Sequence, residues 1–205
     1  MEAPEILVTC CGITLVIAAI AFFAVILFVI GTIGRKRYAA KMNALAAALG
    51  CAYANGVISG DFHGRRMTLD YPVKTHHHTD SHGHHHTDRT TYTRIQVPHK
   101  GVINGQIEVY KQGFLSSLGK VLGMQDIAIG SPDFDKEFIV KGPGEPVVRK
   151  VLDLDVQHKM MQLKVPITVN PDRVQYEVAG EVTDKQRILD IAGLMVRIAE
   201  NAERQ

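Results

Sequence analysis

The chain has 205 residues, of which 46% are hydrophobic and 21% are charged, and this composition excludes a disordered tail and a collagen-like fibre. Its 23 Lys and Arg against 21 Asp and Glu give a net charge of +2, which provides no basic field typical of a nucleic-acid-binding protein. Three cysteines, two of them adjacent at Cys10 and Cys11, cannot build the disulfide framework of a small secreted domain. We therefore expect a folded protein in a reducing compartment, without nucleic acid as a partner.

The first predicted element is a membrane-spanning helix within residues 1–34. Residues 6–33 carry no charge and consist mainly of Ile, Leu, Val, Ala and Phe. This uncharged stretch is longer than the ~20 residues that a helix needs to cross a bilayer. The chain opens with Glu2 and Glu5 and has no basic start, which argues against a cleaved signal peptide. The lipid bilayer is therefore a predicted partner.

The charges beside this stretch predict its orientation. Four basic residues follow it directly: Arg35, Lys36, Arg37 and Lys41. The short leader has no Lys or Arg, so the positive-inside rule places the N-terminus outside and the rest of the chain in the cytoplasm, as expected for a single-pass protein of the cell membrane. Residues 35–49 predict a basic juxtamembrane helical stalk, which ends at Gly50.

Residues 50–205 predict one α+β domain with a mainly antiparallel sheet covered by helices. Alternating apolar and polar residues predict strands at 67–71, 93–97, 107–109, 165–169 and 174–178. The Pro and Asx residues at 170–173 predict a tight turn that joins the last two strands in a hairpin. Pro146 predicts the first turn of a short helix, and Thr183 with Gln186 predicts a capping box at the start of the final helix.

Three sequence motifs of the domain together form a recognisable pattern. They lie at 60–66, ending in Gly64-Arg65-Arg66, at 93–98, and at 123–142, in which residues 126–142 read D-I-x-I-G-x-x-x-F-D-x-x-F-x-V-x-G. The pattern resembles a family of uncharacterised bacterial single-pass membrane proteins with a cytoplasmic domain of unknown function. The resemblance implies a membrane-anchored cytoplasmic domain and brings no catalytic or binding residue with it.

A histidine-rich segment, predicted as a loop at 75–88, is the most unusual feature of the chain. Seven of the ten histidines lie in it: His76, His77, His78, His82, His84, His85 and His86. Neutral imidazole is a good ligand for Zn, Ni and Cu, and Asp80 and Asp88 lie nearby. The alternatives are a tolerated polar loop tip and a group of imidazoles that gains positive charge as the pH falls.

The remaining motifs predict no catalytic and no cofactor-binding residue. Residues 113–120 approach a phosphate-binding loop, but the spacing is one residue too long and Val121 replaces the required Ser or Thr. Asp133, Asp135 and Glu137 alternate without the length and glycine of a calcium-binding loop, so we interpret Asp133 as a turn residue and Asp135 as a helix or turn cap. Neither Ser nor Cys stands in a recognised nucleophile motif.

These observations favour a non-enzymatic, membrane-anchored protein that binds another membrane or cytoplasmic protein, as an accessory or assembly subunit of a membrane complex. A second copy of the chain is an alternative partner. The alternative function is binding, sensing or delivery of Zn, Ni or Cu at the membrane face through the histidine-rich segment. An enzyme is the third hypothesis, and it requires a pocket that joins Asp135 with His99 or His158.

Overall fold

The structure is a computed structural model that describes residues 3–79, 83–101, 103–112, 126–129 and 131–204. Of residues 3–19 and 21 it describes the backbone alone. The chain divides into two compact units, one ending at Ala44 and the other beginning at Leu45. This division falls within the predicted stalk, because Leu45, Ala46 and Leu49 belong to the hydrophobic core of the second unit.

Helix α1 spans Ala3–Ala48 and ends just before Gly50, the predicted end of the stalk. Gly50 has a φ of +66°, in the left-handed region that glycine adopts without steric cost. Its N–H donates to the carbonyl oxygen of Ala47 at 3.2 Å, and the N–H of Cys51 donates to that of Ala46 at 2.8 Å. These two bonds form a Schellman motif, so the predicted stop at Gly50 is confirmed.

The predicted membrane anchor at 6–33 falls within α1. In the part of the chain that the structure describes, no helix combines the length and the apolar character needed to cross a membrane. The side chains of residues 6–19 and 21 lie outside the described part. The anchor and its orientation therefore remain predictions.

The second unit contains a nine-stranded sheet in which all strand pairs of the described residues are antiparallel. The strands are β1 Ala52–Ala54, β2 Val57–Phe62, β3 Arg65–Asp70, β4 Val73–Thr79, β5 His85–Pro98, β6 Ile107–Lys111, β7 Phe138–Lys141, β8 Ile167–Val169 and β9 Arg173–Ala179. Their order is β1-β2-β3-β5-β9-β8-β6-β7, and β4 pairs with β5. The predicted α+β class with a mostly antiparallel sheet is thus confirmed.

In the part of the chain that the structure describes, four helices accompany the sheet, and the longest of these covers its apolar face. They are α2 Pro132–Glu137, α3 Glu145–Val151, α4 Leu154–Leu163 and α5 Lys185–Glu203. The predicted apolar face of α5 is fully buried, with Ile188, Ile191, Met195 and Ile198 in one core cluster with the inward residues of the strands. Alternation along the strands supplies the other side of this core, as Ile95 and Val97 of β5 show.

Two local predictions can be compared directly with the structure. The turn at 170–173 is confirmed, since the N–H of Asn170 donates to the carbonyl oxygen of Arg173 at 2.8 Å and β8 pairs with β9. The predicted cap at Thr183 is wrong, because α5 is capped by Asp184, whose carboxylate accepts from the N–H of Arg187 at 2.6 Å. A carboxylate at this position also interacts favourably with the positive end of the helix dipole.

Asp153 connects the start of α4 to α5. One carboxylate oxygen accepts from the N–H of Val156 at 2.9 Å and caps α4. The other accepts from Asn201 Nδ2 at 2.9 Å and from Arg197 Nη2 at 3.0 Å. Burial raises the pKa of Asp153, but the hydrogen bonds from Val156 and Asn201 and the charge of Arg197 outweigh it, so this pKa lies below its ordinary value.

We expect Asp153→Ala to lower the free energy of unfolding by about 1–3 kcal/mol, because it removes a helix cap and leaves Asn201 without its carboxylate. Asp155→Ala is the matched control: its carboxylate is 84% exposed and only approaches Arg197 at 3.7 Å. The control should change stability by less than about 0.5 kcal/mol. Urea unfolding measures both, and equal losses would contradict the role of Asp153.

The carboxylate of Glu203, at the end of α5, forms an ion pair with Arg65 of β3. Arg65 donates to its two carboxylate oxygens at 2.9 and 2.6 Å, and the N–H of Lys100 donates at 2.9 Å. The hydrogen bonds from Arg65, the largest cause, and from Lys100 lower the pKa of Glu203 to about 2. Arg65 is therefore occupied by a carboxylate of its own chain.

Because the pKa of Glu203 is lowered in the folded protein, the stability of the domain decreases as the pH falls through the acidic range. The contribution of Glu203 is fully present above its unfolded pKa, near 4.5, and is lost as the pH falls toward about 2. We expect the urea midpoint to fall over this interval by less in Glu203→Gln than in the wild type. Glu200→Gln, whose carboxylate only approaches Arg204 at 3.8 Å, is the control and should follow the wild type.

Candidate functional site

Strand β4 and the first half of β5 form a hairpin that extends beyond the sheet, here called the hairpin arm and defined as residues 73–79 and 85–91. Its register runs from Val73 opposite Thr91 to Thr79 opposite His85. In the described residues, β5 pairs with β3 and β9 only from Tyr92 onward. All seven residues of β4 and the first five of β5 are exposed.

The hairpin arm corrects the prediction of a histidine-rich loop at 75–88. Residues 75–79 and 85–88 are strand, whereas 80–82, which include Asp80 and His82, lie outside the described residues. Threonines are interspersed among the histidines, and β-branched side chains favour extended backbone. The base of the arm is fixed by the N–H of Tyr92, which donates to the carbonyl oxygen of Pro72 at 2.8 Å.

Strand pairing divides the histidines of the arm between two faces, because side chains alternate along a strand and directly opposite residues share a face. The His76 face carries His76, His78, His86 and Asp88. The His77 face carries His77, Thr79, His85 and Thr87. The predicted ligands are therefore not one cluster, and His84 lies just before β5.

The His76 face brings two imidazoles and a carboxylate into contact. The rings of His78 and His86 stack with centroids 5.3 Å apart and an interplanar angle of 20°. His78 Nδ1 lies 3.6 Å from a carboxylate oxygen of Asp88. His76 lies directly opposite Asp88 in the register and completes the group.

The His77 face is organised by hydrogen bonds to hydroxyl groups. His77 Nδ1 lies 3.0 Å from the hydroxyl of Thr87, and His85 Nδ1 lies 3.0 Å from the hydroxyl of Thr79. In each case the threonine stands directly opposite the histidine in the register. Each imidazole of this face therefore has a local partner across the hairpin.

A polar network joins the His76 face to the sheet. Lys74 forms an ion pair with Glu177 of β9, and its Nζ lies 4.7 Å from the ring centroid of Tyr92. The hydroxyl of Tyr92 lies 3.5 Å from His76 Nε2. These residues were not predicted from the sequence, although Lys74 shares the even-numbered spacing of His76 and His78.

No ready-made metal site is present in the described part of the chain, where no group of three or more His, Cys, Asp and Glu side chains converges well enough to hold an ion. The residues of the His76 face lie in adjacent register positions, but their side chains contact one another or Tyr92 and do not turn toward a common centre. Metal binding by the predicted histidines therefore stays a prediction.

The residues required by an enzymatic hypothesis each have a local role or lie on the surface. His99 is buried, with Nε2 2.9 Å from the carbonyl oxygen of Asn170 and Nδ1 accepting from the N–H of Gly101 at 3.2 Å. The carboxylate of Asp135 accepts from the N–H of Ile129 at 3.1 Å and so links α2 to the segment before it. Asp133 and Asp135 both lie inside α2, whose N-cap is Ser131, so the interpretations of Asp133 as a turn residue and of Asp135 as a helix cap are wrong. His158 is exposed on α4. The phosphate-loop phrase at 113–120 lies outside the described residues.

Glu137 lies in a cleft of about 540 Å³ beside the end of α4. Its buried Oε1 lies 3.3 Å from Lys164 Nζ and 3.8 Å from Lys111 Nζ without hydrogen-bond alignment. The two lysines neutralise this carboxylate, so Glu137 takes part in an ion-pair cluster that joins α2, α4 and β6.

The fold and the hairpin arm define the chain as an α+β protein with a mostly antiparallel sheet and an exposed histidine-rich hairpin. No family model matches the chain, and no curated protein matches it either. Among solved structures it is similar to the crystal structure of the mycobacterial trehalose monomycolate transport factor A, TtfA, with a TM-score of 0.46 and 11% sequence identity. The match covers 71% of this chain and 70% of that chain. A similarity at this level does not establish a shared function.

We expect the arm to be removable without loss of the domain. Because Thr75 and Arg89 are opposite each other, replacing residues 76–88 by Asn-Gly closes the shortened hairpin with a two-residue turn. The arm buries no core side chain, so the unfolding free energy should change by less than about 0.5 kcal/mol. Leu69→Ala in the core is the reference and should cost about 2–5 kcal/mol. Comparable losses in urea unfolding would contradict the independence of the arm.

Proposed function

We propose that the chain is a non-enzymatic, single-pass membrane protein whose cytoplasmic domain binds another protein through the hairpin arm. In this role it acts as an accessory or assembly subunit of a membrane complex. The observation that carries the proposal is the exposure of β4 along its whole length, in a hairpin that extends beyond the sheet.

The energetics of the arm favour an external partner. A two-stranded hairpin is marginally stable in water by itself, since it has no apolar face to bury. The arm contributes no buried side chain to the core, so its presence is not explained by the stability of the domain. Contact with a second protein supplies the missing burial.

The edges of the arm indicate the mode of binding. In the described residues, β4 pairs with β5 alone, and residues 85–90 of β5 pair with β4 alone, whereas the carbonyl oxygen of Thr91 already accepts from the N–H of Gly180. Main-chain N–H and C=O groups along such edges form hydrogen bonds with an added strand. Val73, 59% exposed at the base of the arm, offers an apolar contact. The expected partner is a protein with an extended segment.

The proposed anchor draws support from the sequence and from the described part of α1. Residues 6–33 are uncharged, and basic residues follow only on the C-terminal side. Large apolar side chains are exposed at successive positions that cannot share one face of a helix: Phe22, Phe23, Val25, Leu27, Phe28 and Ile30. A helix that is apolar all round suits lipid rather than water. We therefore place the N-terminus outside and the domain in the cytoplasm of an inner membrane.

Photo-crosslinking in native membranes tests the partner. We expect a photoreactive amino acid at Val73 to give one adduct of defined mass, because the base of the arm lies in the interface. Leu154 is the control, since its side chain has a similar exposure, at 65% against 59% for Val73, but belongs to α4 and not to the arm. The same adduct from both positions would indicate collision rather than binding.

Native mass spectrometry after gentle detergent extraction provides the second measurement. The wild type should run as a defined complex, and the variant with the shortened arm as the free chain. A complex made only of copies of this chain would identify the partner as a second copy. Wild-type protein found only as isolated monomers at native expression levels would overturn the proposal.

A further inference from the structure

Three imidazoles and one carboxylate occupy adjacent positions on the His76 face. His76 and His78 are two residues apart on β4, with Asp88 opposite the first and His86 opposite the second. In an antiparallel pair, opposite Cβ atoms lie about 4.5–5.5 Å apart. Residues two apart on one strand are separated by about 7 Å. The four residues therefore occupy adjacent positions on one face of the hairpin.

The chemistry of these four groups suits a divalent transition-metal ion. Neutral imidazole ligates Zn, Ni and Cu, and a carboxylate supplies an oxygen ligand for Zn. His78 already stacks on His86 and approaches Asp88 at 3.6 Å. With side chains 54% and 69% exposed, His78 and Asp88 can rotate without disturbing a core. We propose that His76, His78 and His86, together with Asp88, bind one Zn²⁺, Ni²⁺ or Cu²⁺ ion.

Rotation of the side chains is needed because the donor atoms do not converge in the described structure. Zn–N bonds are about 2.0–2.1 Å, so ring nitrogens that now lie beside one another must turn toward a common centre. The register of the hairpin already places all four residues side by side on one face, so the change that the site requires is a rotation of side chains. The contact of His76 Nε2 with Tyr92, at 3.5 Å, also limits the orientations of that ring.

The histidines of the arm do not form one site, because some of them lie on the opposite face of the hairpin. His77 and His85 lie on the other side of the hairpin and contact the hydroxyl groups of Thr87 and Thr79. Like His78 and His86, they are exposed histidines of the same two strands, but they occupy the other face. They are therefore internal controls for a site on the His76 face.

Two double variants of the full-length chain test the site. Each protein is purified without an immobilised-metal step and freed of metal with EDTA. Its affinity for Zn²⁺ is then measured by titrating Zn²⁺ alone in competition with a chromophoric chelator. We expect one Zn²⁺ per chain, weakened at least about tenfold in His78→Asn/His86→Asn, because two ligands are lost. His77→Asn/His85→Asn should bind like the wild type. Circular dichroism should show both variants to be folded, since all four residues are exposed.

Two results would overturn the site. Equal weakening by both double variants would indicate a flexible tract without a preferred face, and a wild-type chain that fails to compete with the chelator would exclude the site. Electron paramagnetic resonance of bound Cu²⁺ gives an independent readout: nitrogen hyperfine structure from three imidazoles should persist in His77→Asn/His85→Asn and be reduced to that of the single imidazole of His76 in His78→Asn/His86→Asn. Binding is measured on the purified chain, so either failure leaves the proposed protein partner untouched.

Discussion

The unbroken register of β5 is the constraint on which the rest of the structure depends. Its second half lies between β3 and β9, and its first half pairs with β4 in the arm. Asp70 faces Arg94 and Val73 faces Thr91, so the register passes from sheet to arm without a slip. A shift of one residue would exchange the two faces of every strand involved. The burial of Ile95 and Val97 in the core therefore also decides which histidines share a face of the arm.

The core and the proposed binding features are physically separate. Burial of apolar residues between the sheet and its helices stabilises the domain, and carboxylates at Asp153 and Glu203 fasten the helix ends. The arm stands outside this core and exposes both of its faces. Its residues can therefore change without a large cost in folding stability, which suits a segment adapted to a ligand or partner.

The two proposed activities of the arm use different groups. Strand addition uses the main-chain N–H and C=O groups along an edge, whereas metal binding uses side chains that stand perpendicular to the hairpin. A partner strand at the edge would leave the His76 face open. Metal and partner can consequently bind together, and an ion that holds the two strands of the arm in one geometry would rigidify the edge that the partner meets.

The amino-acid sequence by itself determined the α+β class, the helix stop at Gly50 and the hairpin turn at 170–173, because these depend on local alternation and on glycine and proline geometry. It also indicated the chemistry of the imidazoles. Only the tertiary structure decided that the histidine-rich segment is paired strand and that His78 and His86 share a face that His77 does not. The physical reason is that a shared face depends on the partner strand and its register. The contact of Lys74 with Glu177 likewise joins residues that are distant in the chain, so no local pattern contains it.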